Sequence, residues 1–545
     1  MSLLLDVFGF LDVLLRGASN VLQAFTIGGV IYLVAVIAPI ERQAPGLARS
    51  VCSGIAWSAG LLAGVEAVIL TLKGAVLMGT LDIAIDDAAG AGFALAGTIR
   101  GVAAATIALL AASTAPRRSL MLLASAAMVA AVVVLNNHAA GRLDNRAPLM
   151  AAAALHQLAA AAWIGGIPYF LATLARLPGR AEWPETARRF STVCMFAVAG
   201  LLAAGLFKSW FYIGSPDAIW GTSYGAMTST KALLFAVLVT LGAFNFISLR
   251  RAAGAPATTH MVTRRAEVEL ALGIAVFFAA ASMTSLPPAV DLPNDRATWA
   301  EIADRMAPQW PRLSSPSHAA LSIPAIQARL DAEAAAAGQP APRAYIPGGG
   351  EPTPRNAEDI AWSEYNHHWA GMFVLAIGIL SLIERTGRAR WARSWPLLFI
   401  GLSIFLLIRS DPRAWPLGDI GFFEVMRDPE ALQHRIFILL IAAFGIFEWS
   451  VRVGRITNPR AALVFPAVSM LGAGLLLAHS HALANVKEEL LIELTHLPIA
   501  LLGLATGAAR WFELRVPPAQ RAVPAMIWPI CFVGVGLLLM TYREV

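Results

Sequence analysis

The sequence predicts an all-α protein, a polytopic transmembrane helix bundle of about 14 spans in two halves, eight and six. Three observations predict it. Of the 545 residues, 57% are hydrophobic and only 14% charged, whereas soluble domains sit near roughly 45–50% apolar and 25% charged. The apolar residues gather in blocks of roughly 20, the length that carries a helix across a bilayer core. The loops between blocks alternate between arginine-rich and arginine-poor.

Taken in order, residues 1–18 have no basic segment ahead of their apolar residues, so they read as an interfacial helix and not a cleaved signal. Eight spans follow, near 19–40, 53–78, 92–112, 119–138, 149–174, 190–212, 228–248 and 268–286. They make up a first membrane domain, 19–286. Residues 287–364 are hydrophilic, with 12 prolines and ten acidic against six basic residues. Short helices are expected there over Trp299–Met306 and Ile323–Ala337, in an otherwise extended linker. A second domain, 365–545, holds six spans, near 367–383, 395–409, 434–449, 463–480, 490–509 and 523–541.

Charge orients this ladder. The loops on one side, from Arg42 and Arg49 through Arg510, Arg515 and Arg521, carry 22 of the 41 basic residues; the short loops and C-terminus of the other carry eight. The arginine-rich side is expected to be cytoplasmic. Both termini and the 287–364 stretch then lie outside, on the face read as periplasm or exterior. The pI of 9.5 does not indicate a nucleic-acid partner, because its charge is spread through these loops and the expected partner is the lipid bilayer. Cys52, Cys194 and Cys531 form no CxxC pair, which argues against a disulfide framework or a thiolate zinc site. No nucleophile elbow or phosphate loop appears, and a non-enzymatic role is expected.

The histidines stand out. Eight of ten lie at or near span ends: His138, His156, His367, His368, His434, His479, His481 and His496. On this topology all eight face outside. Imidazole ligates copper, zinc and iron, so all eight are candidate metal ligands. The adjacent pair His367 and His368, and the pair His479 and His481, point in different directions on an ideal helix. One member of each is therefore expected to bind and the other to support. Met150 and Met227 are candidate thioether ligands on a copper(I) path, against the plainer reading of packing. Glu66 and Arg100 fall deep inside spans two and three and are expected to pair. Such a pair is either structural or a polar step along a transport path.

From about 149 to 250 the chain resembles the copper resistance protein D (CopD/PcoD) family. The residues that carry this are His156, then Trp163-Ile164-Gly165-Gly166, Arg189-Phe190-Ser191, Gly205, Gly221-Thr222-Ser223-Tyr224-Gly225, Lys231 and Asn245. The resemblance implies copper uptake and tolerance at a bacterial inner membrane, beside a periplasmic copper-binding protein, with His156 contacting the ion. The copper would be Cu(I) or Cu(II). The second half resembles C-terminal extensions of some members, through Asn366-His367-His368-Trp369, Gln433-His434-Arg435 and His479-Ser480-His481. Two alternatives stay open: a b-type haem electron-transfer protein using His434, His479 and His496, or a copper-delivery assembly factor without transport.

Overall fold

The computed structural model describes residues 2–42, 46–81, 83–177, 182–252, 255–346, 357–477 and 486–544. These contain helices and no strand, apart from one isolated bridge between Ala414 and Ile420. Fourteen segments are long and apolar enough to cross a bilayer. Large apolar side chains such as Phe196, Trp210, Leu109 and Leu439 stand 70–80% exposed on them. Water would penalise such a surface and acyl chains would not. The protein is a multi-pass membrane protein.

The chain forms two compact units. Phe10–Arg296 makes up nearly all of the N-terminal unit, and Ala297–Leu476 with His481–Val545 nearly all of the C-terminal one. The helices up to Ser282 are α1 (Ser2–Tyr32), α2 (Leu47–Leu81), α3 (Ile85–Gly90), α4 (Gly92–Ala112), α5 (Arg118–Leu135), α6 (His138–Gly141), α7 (Arg146–Trp163), α8 (Ile167–Leu174), α9 (Trp183–Ile213), α10 (Ala218–Gly221), α11 (Ser223–Ala252) and α12 (Pro256–Ser282). The helix expected at the interface over 1–18 is not separate from the first span. Neither proline nor a turn interrupts Gly17-Ala18-Ser19, so α1 continues unbroken to Tyr32, with a crossing segment counted from Leu11.

Helix α2 packs on α4, α4 on α5, α7 on α9 and α11 on α12. Where α1 passes the junction of α7 and α8, a Cβ on Gly165 would strike the Ala24 carbonyl and one on Gly28 the Ala161 carbonyl. Only glycine lets these backbones meet so closely.

The C-terminal unit holds α13 (Trp299–Met306), α14 (Ile323–Ala337), α15 (Ala357–Arg385), α16 (Leu398–Arg409), α17 (Pro429–Arg452), α18 (Val464–Leu477), α19 (Val486–Arg515) and α20 (Ala522–Met540). Helices α13 and α14 occupy the ranges expected for them. Thr298 and Glu301 start α13 with a reciprocal capping box, and Gly338 ends α14 at φ +64°. The stretch around α13, expected to be extended, is tied down before, within and after that helix. In the N-terminal unit Arg296 binds Asp217 at 2.6 Å and Ser215 at 2.7 Å. In the C-terminal unit Arg305 donates to Tyr542 Oη at 2.9 Å, and Trp369 to the Leu313 carbonyl at 3.2 Å. Helices α15 and α20 cross closely, because Gly371, Gly378 and Gly536 each leave room for the opposing backbone.

Candidate functional site

The motif residues between 156 and 245 hold the N-terminal unit together at several points. Thr222 caps α11: its hydroxyl accepts the Gly225 N–H at 3.0 Å and donates to the Ala218 carbonyl at 2.7 Å. A Cβ on Gly225 would overlap that same carbonyl. Phe190 stacks on Phe170, with ring centroids 4.7 Å apart, and lies edge-on to Tyr32. Trp163 Nε1 donates to Glu269 at 3.4 Å and Asn245 Nδ2 donates to its other oxygen at 2.7 Å. Two motif residues thus converge on a buried carboxylate of α12. Glu269 was not among the expected site residues. Its signal was a charge just inside the apolar block that begins at 268, with no motif to mark it.

His156 lies partly buried on α7, and its Nδ1 is enclosed without a hydrogen-bond partner. That is uncommon, because enclosed polar atoms in native folds are nearly always bonded. The charges that act on this ring come from Lys208 on α9 and Lys231 on α11. His138 is exposed as the first residue of α6. Met150 packs at the edge of a small cluster of Ala139, Leu149 and Tyr212, and Met227 is buried. A 460 Å³ cleft opens between Arg142, Asn145 and Tyr212, and neither His138 nor His156 lines it.

Glu66 and Arg100 form the ion pair expected of them. Ser19 also donates to Glu66, at 2.6 Å, and Arg100 reaches Gln23 at 3.5 Å.

In the C-terminal unit the two adjacent histidines of α15 differ. His368 is fully buried with both ring nitrogens engaged: Nδ1 accepts the Arg312 N–H at 2.7 Å, and Nε2 donates to the Tyr542 carbonyl at 2.7 Å. In this arrangement both ring nitrogens are taken up and neither has a lone pair free for a metal. His367 donates Nδ1–H to the Ser363 carbonyl at 2.9 Å and stacks on Tyr542 at 4.1 Å. That bond leaves Nε2 as its basic nitrogen. His496 on α19 does the same, with Nδ1 2.7 Å from the Ile492 carbonyl, and it lies near enough to act on His367 electrostatically.

Tyr542 Oη donates to Glu544 at 3.0 Å, Ser363 donates to the same carboxylate at 2.6 Å, and burial pushes the Tyr542 phenol above its usual range. His434 is exposed on α17. His479 and His481 lie outside the described residues. Among the described residues, no group of three or more His, Cys, Asp or Glu side chains is placed to hold a metal ion.

Residues 184–283 match the family model Copper resistance protein D. Over 136 residues the chain is 36% identical to the copper transport protein CutJ of Bacillus subtilis (strain 168), an alignment covering 24% of each chain. The chain therefore spans about a quarter of the length of that curated relative. No solved structure matches. The family match covers α9 from its second residue, α10, α11 and all of α12, and so takes in Lys208, Lys231, Asn245 and Glu269. Of the residues that carry the resemblance, those from Arg189 to Asn245 lie inside the stretch that matches Copper resistance protein D, while His156 and Trp163-Ile164-Gly165-Gly166 precede it.

Proposed function

We propose that this chain binds copper and moves it across a bacterial inner membrane. Its arginine-rich loops face the cytoplasm and both termini face the periplasm. The observation that carries this reading is the family match at 184–283, whose helices α9 and α11 bring Lys208 and Lys231 to bear on His156. His156 offers an enclosed nitrogen with no other bond to make. The reading takes Cu(I) as cargo, which suits imidazole and thioether ligands. His138, Met150 and Met227 belong to its outer approach. A periplasmic copper-binding protein is the expected donor.

The C-terminal unit is read as a second histidine station, with His367 and His496 as its ligands. In His367 a backbone carbonyl holds Nδ1–H, the support that metal-bound histidines usually have, and Nδ1 of His496 lies 2.7 Å from the Ile492 carbonyl. The same feature would serve axial haem ligands, so haem is the alternative for this unit.

Protein purified into nanodiscs tests both readings. Competition with a Cu(I) chelator is expected to reveal tight binding that His156→Ala weakens at least tenfold. Equal binding by wild type and variant would remove His156 from the mechanism. A stoichiometric Soret band in the untreated protein would move the C-terminal unit to the haem reading. Accumulation of copper in proteoliposomes separates transport from delivery alone.

A further inference from the structure

The sequence shows no continuous polar route through the membrane, but the packing of α1 against its neighbours builds most of one. Asp12, Arg16, Ser19, Gln23 and Thr26 recur at steps of four, three, four and three along α1, which puts them on a single stripe. At 1.5 Å per residue the stripe is about 21 Å long, against about 30 Å for the hydrocarbon core.

Partners meet it at each level. Asp12 binds Arg16 at 2.6 Å and Lys73 of α2 at 3.3 Å. Ser19 donates to Glu66 of α2, which pairs with Arg100 of α4, which in turn reaches Gln23. Thr26 donates to the Leu22 carbonyl at 2.8 Å and lies 3.3 Å from the Ser58 hydroxyl of α2, and Ser58, which also reaches the Ile55 carbonyl at 3.1 Å, shares a 3.0 Å hydrogen bond with the Tyr169 hydroxyl of α8. Ser19, Gln23, Thr26, Ser58, Glu66 and Tyr169 are all buried. Glu66 and Lys73 are seven residues apart on α2, about 10 Å along its axis, so water has to carry the proton across this first interval as well.

We propose that this stripe is a proton pathway, entered at Asp12 and leading through Glu66 towards Tyr169. Its chemistry suits protons and opposes metal ions. Three cationic side chains, Arg16, Lys73 and Arg100, face two carboxylates, so a metal cation meets net positive charge. No histidine, cysteine or methionine is among the groups that would have to ligate it. A proton needs only successive oxygens. At each transfer one O–H bond breaks and one forms at the next acceptor, so no co-reactant is consumed. Glu66 takes the proton while Arg100 swings to Gln23, its second partner, and gives it up as the ion pair closes. Gln23 occupies the interval of two helical turns between Glu66 and Ser58, and hydration of that interval is part of the proposal. The inference does not rest on copper being the cargo.

The test uses the full chain in proteoliposomes with an internal pH dye and an imposed potassium-valinomycin potential, with and without Cu(I). In at least one condition, proton entry is expected to exceed that of protein-free vesicles. It is expected to fall at least tenfold in Glu66→Gln/Arg100→Gln, which removes both charges together. Tyr169→Phe, which deletes one hydroxyl and keeps the ring, is expected to lower it at least threefold. Wild-type flux equal to empty vesicles in both conditions overturns the proposal. So does flux unchanged in both variants, since a purely structural stripe would alter melting temperature and not proton entry. Copper binding measured on the same preparations reports on the copper reading independently.

Discussion

The two units treat buried charge differently. In the N-terminal unit ionisable and hydroxyl groups are strung through the membrane along α1, from Asp12 to Thr26 and on to Tyr169. In the C-terminal unit they gather at the two ends of α15. One end holds Glu364, Ser363, His367 and His368 with Arg305, Tyr542 and Glu544. The other holds Glu384, Glu448 and Glu513 with Arg385, Arg452 and Arg510, packed around Trp395 and Trp528. Between His368 and Ser381, α15 carries no charge at all. Charges clustered at helix ends, each with several partners, act as fasteners. Charges spread through the membrane hold little together for what they cost in hydrocarbon, and function is the better account of them.

If that contrast is right, the largest stability loss comes from the C-terminal fastener. Arg452 binds Glu448 at 2.7 Å and Glu384 at 2.8 Å and lies 4.5 Å over the Trp395 ring. Arg452→Ala leaves the buried Glu448 without this partner and is expected to cost about 4 kcal/mol, read by denaturation in detergent. The paired removal Glu66→Gln/Arg100→Gln is expected to cost less, because no unpaired charge remains. The opposite order would break the comparison.

Next, Gly371→Leu drives a side chain into the α20 backbone and is expected to cost about 3 kcal/mol by the same measurement. His368→Ala strands the Arg312 N–H and the Tyr542 carbonyl. About 2 kcal/mol should be lost with metal binding unchanged, and lost metal binding at unchanged stability would restore His368 as a ligand.

The smallest effect is at the surface. Glu301 is held below the usual carboxylate range by the Thr298 backbone N–H, then by the Thr298 hydroxyl and Lys487. Its folded pKa is depressed, so its stabilisation is present above the unfolded value and fades as pH falls through the folded one. Thr298→Ala is expected to cost about 1 kcal/mol. It should also flatten the acid-induced rise in hydrogen exchange across α13, and an unaltered profile would show that the cap is not responsible.

What was legible in the sequence followed from what is local in the chain. Spans such as 92–112 and helices such as Trp299–Met306 announce themselves through runs of one residue class or a capping pair. Glu66 and Arg100 were legible as partners because each lies deep inside an apolar block, where a charge needs an opposite one on a neighbouring helix. His368 was not legible as a buried strut, since its two bonds go to Arg312 and Tyr542, 56 and 174 residues away. Glu269 was missed because its importance lies in Trp163 and Asn245, which reach it from two other helices.

The sequence by itself determined that this is a membrane bundle, with 14 crossing-length segments among the described residues, and that 184–283 resembles Copper resistance protein D. Hydrophobicity and family motifs are properties of short stretches read one at a time. Beyond the Glu66–Arg100 pair, the tertiary structure decided which polar residues meet. It made a spaced series on α1 into a stripe of linked groups, and it gave one of two adjacent histidines a structural task. The reason is geometric: a residue's neighbours along the helix are fixed by the chain, while its neighbours across the helix are fixed by which backbones can approach, and here glycines such as Gly28, Gly165 and Gly371 set that approach.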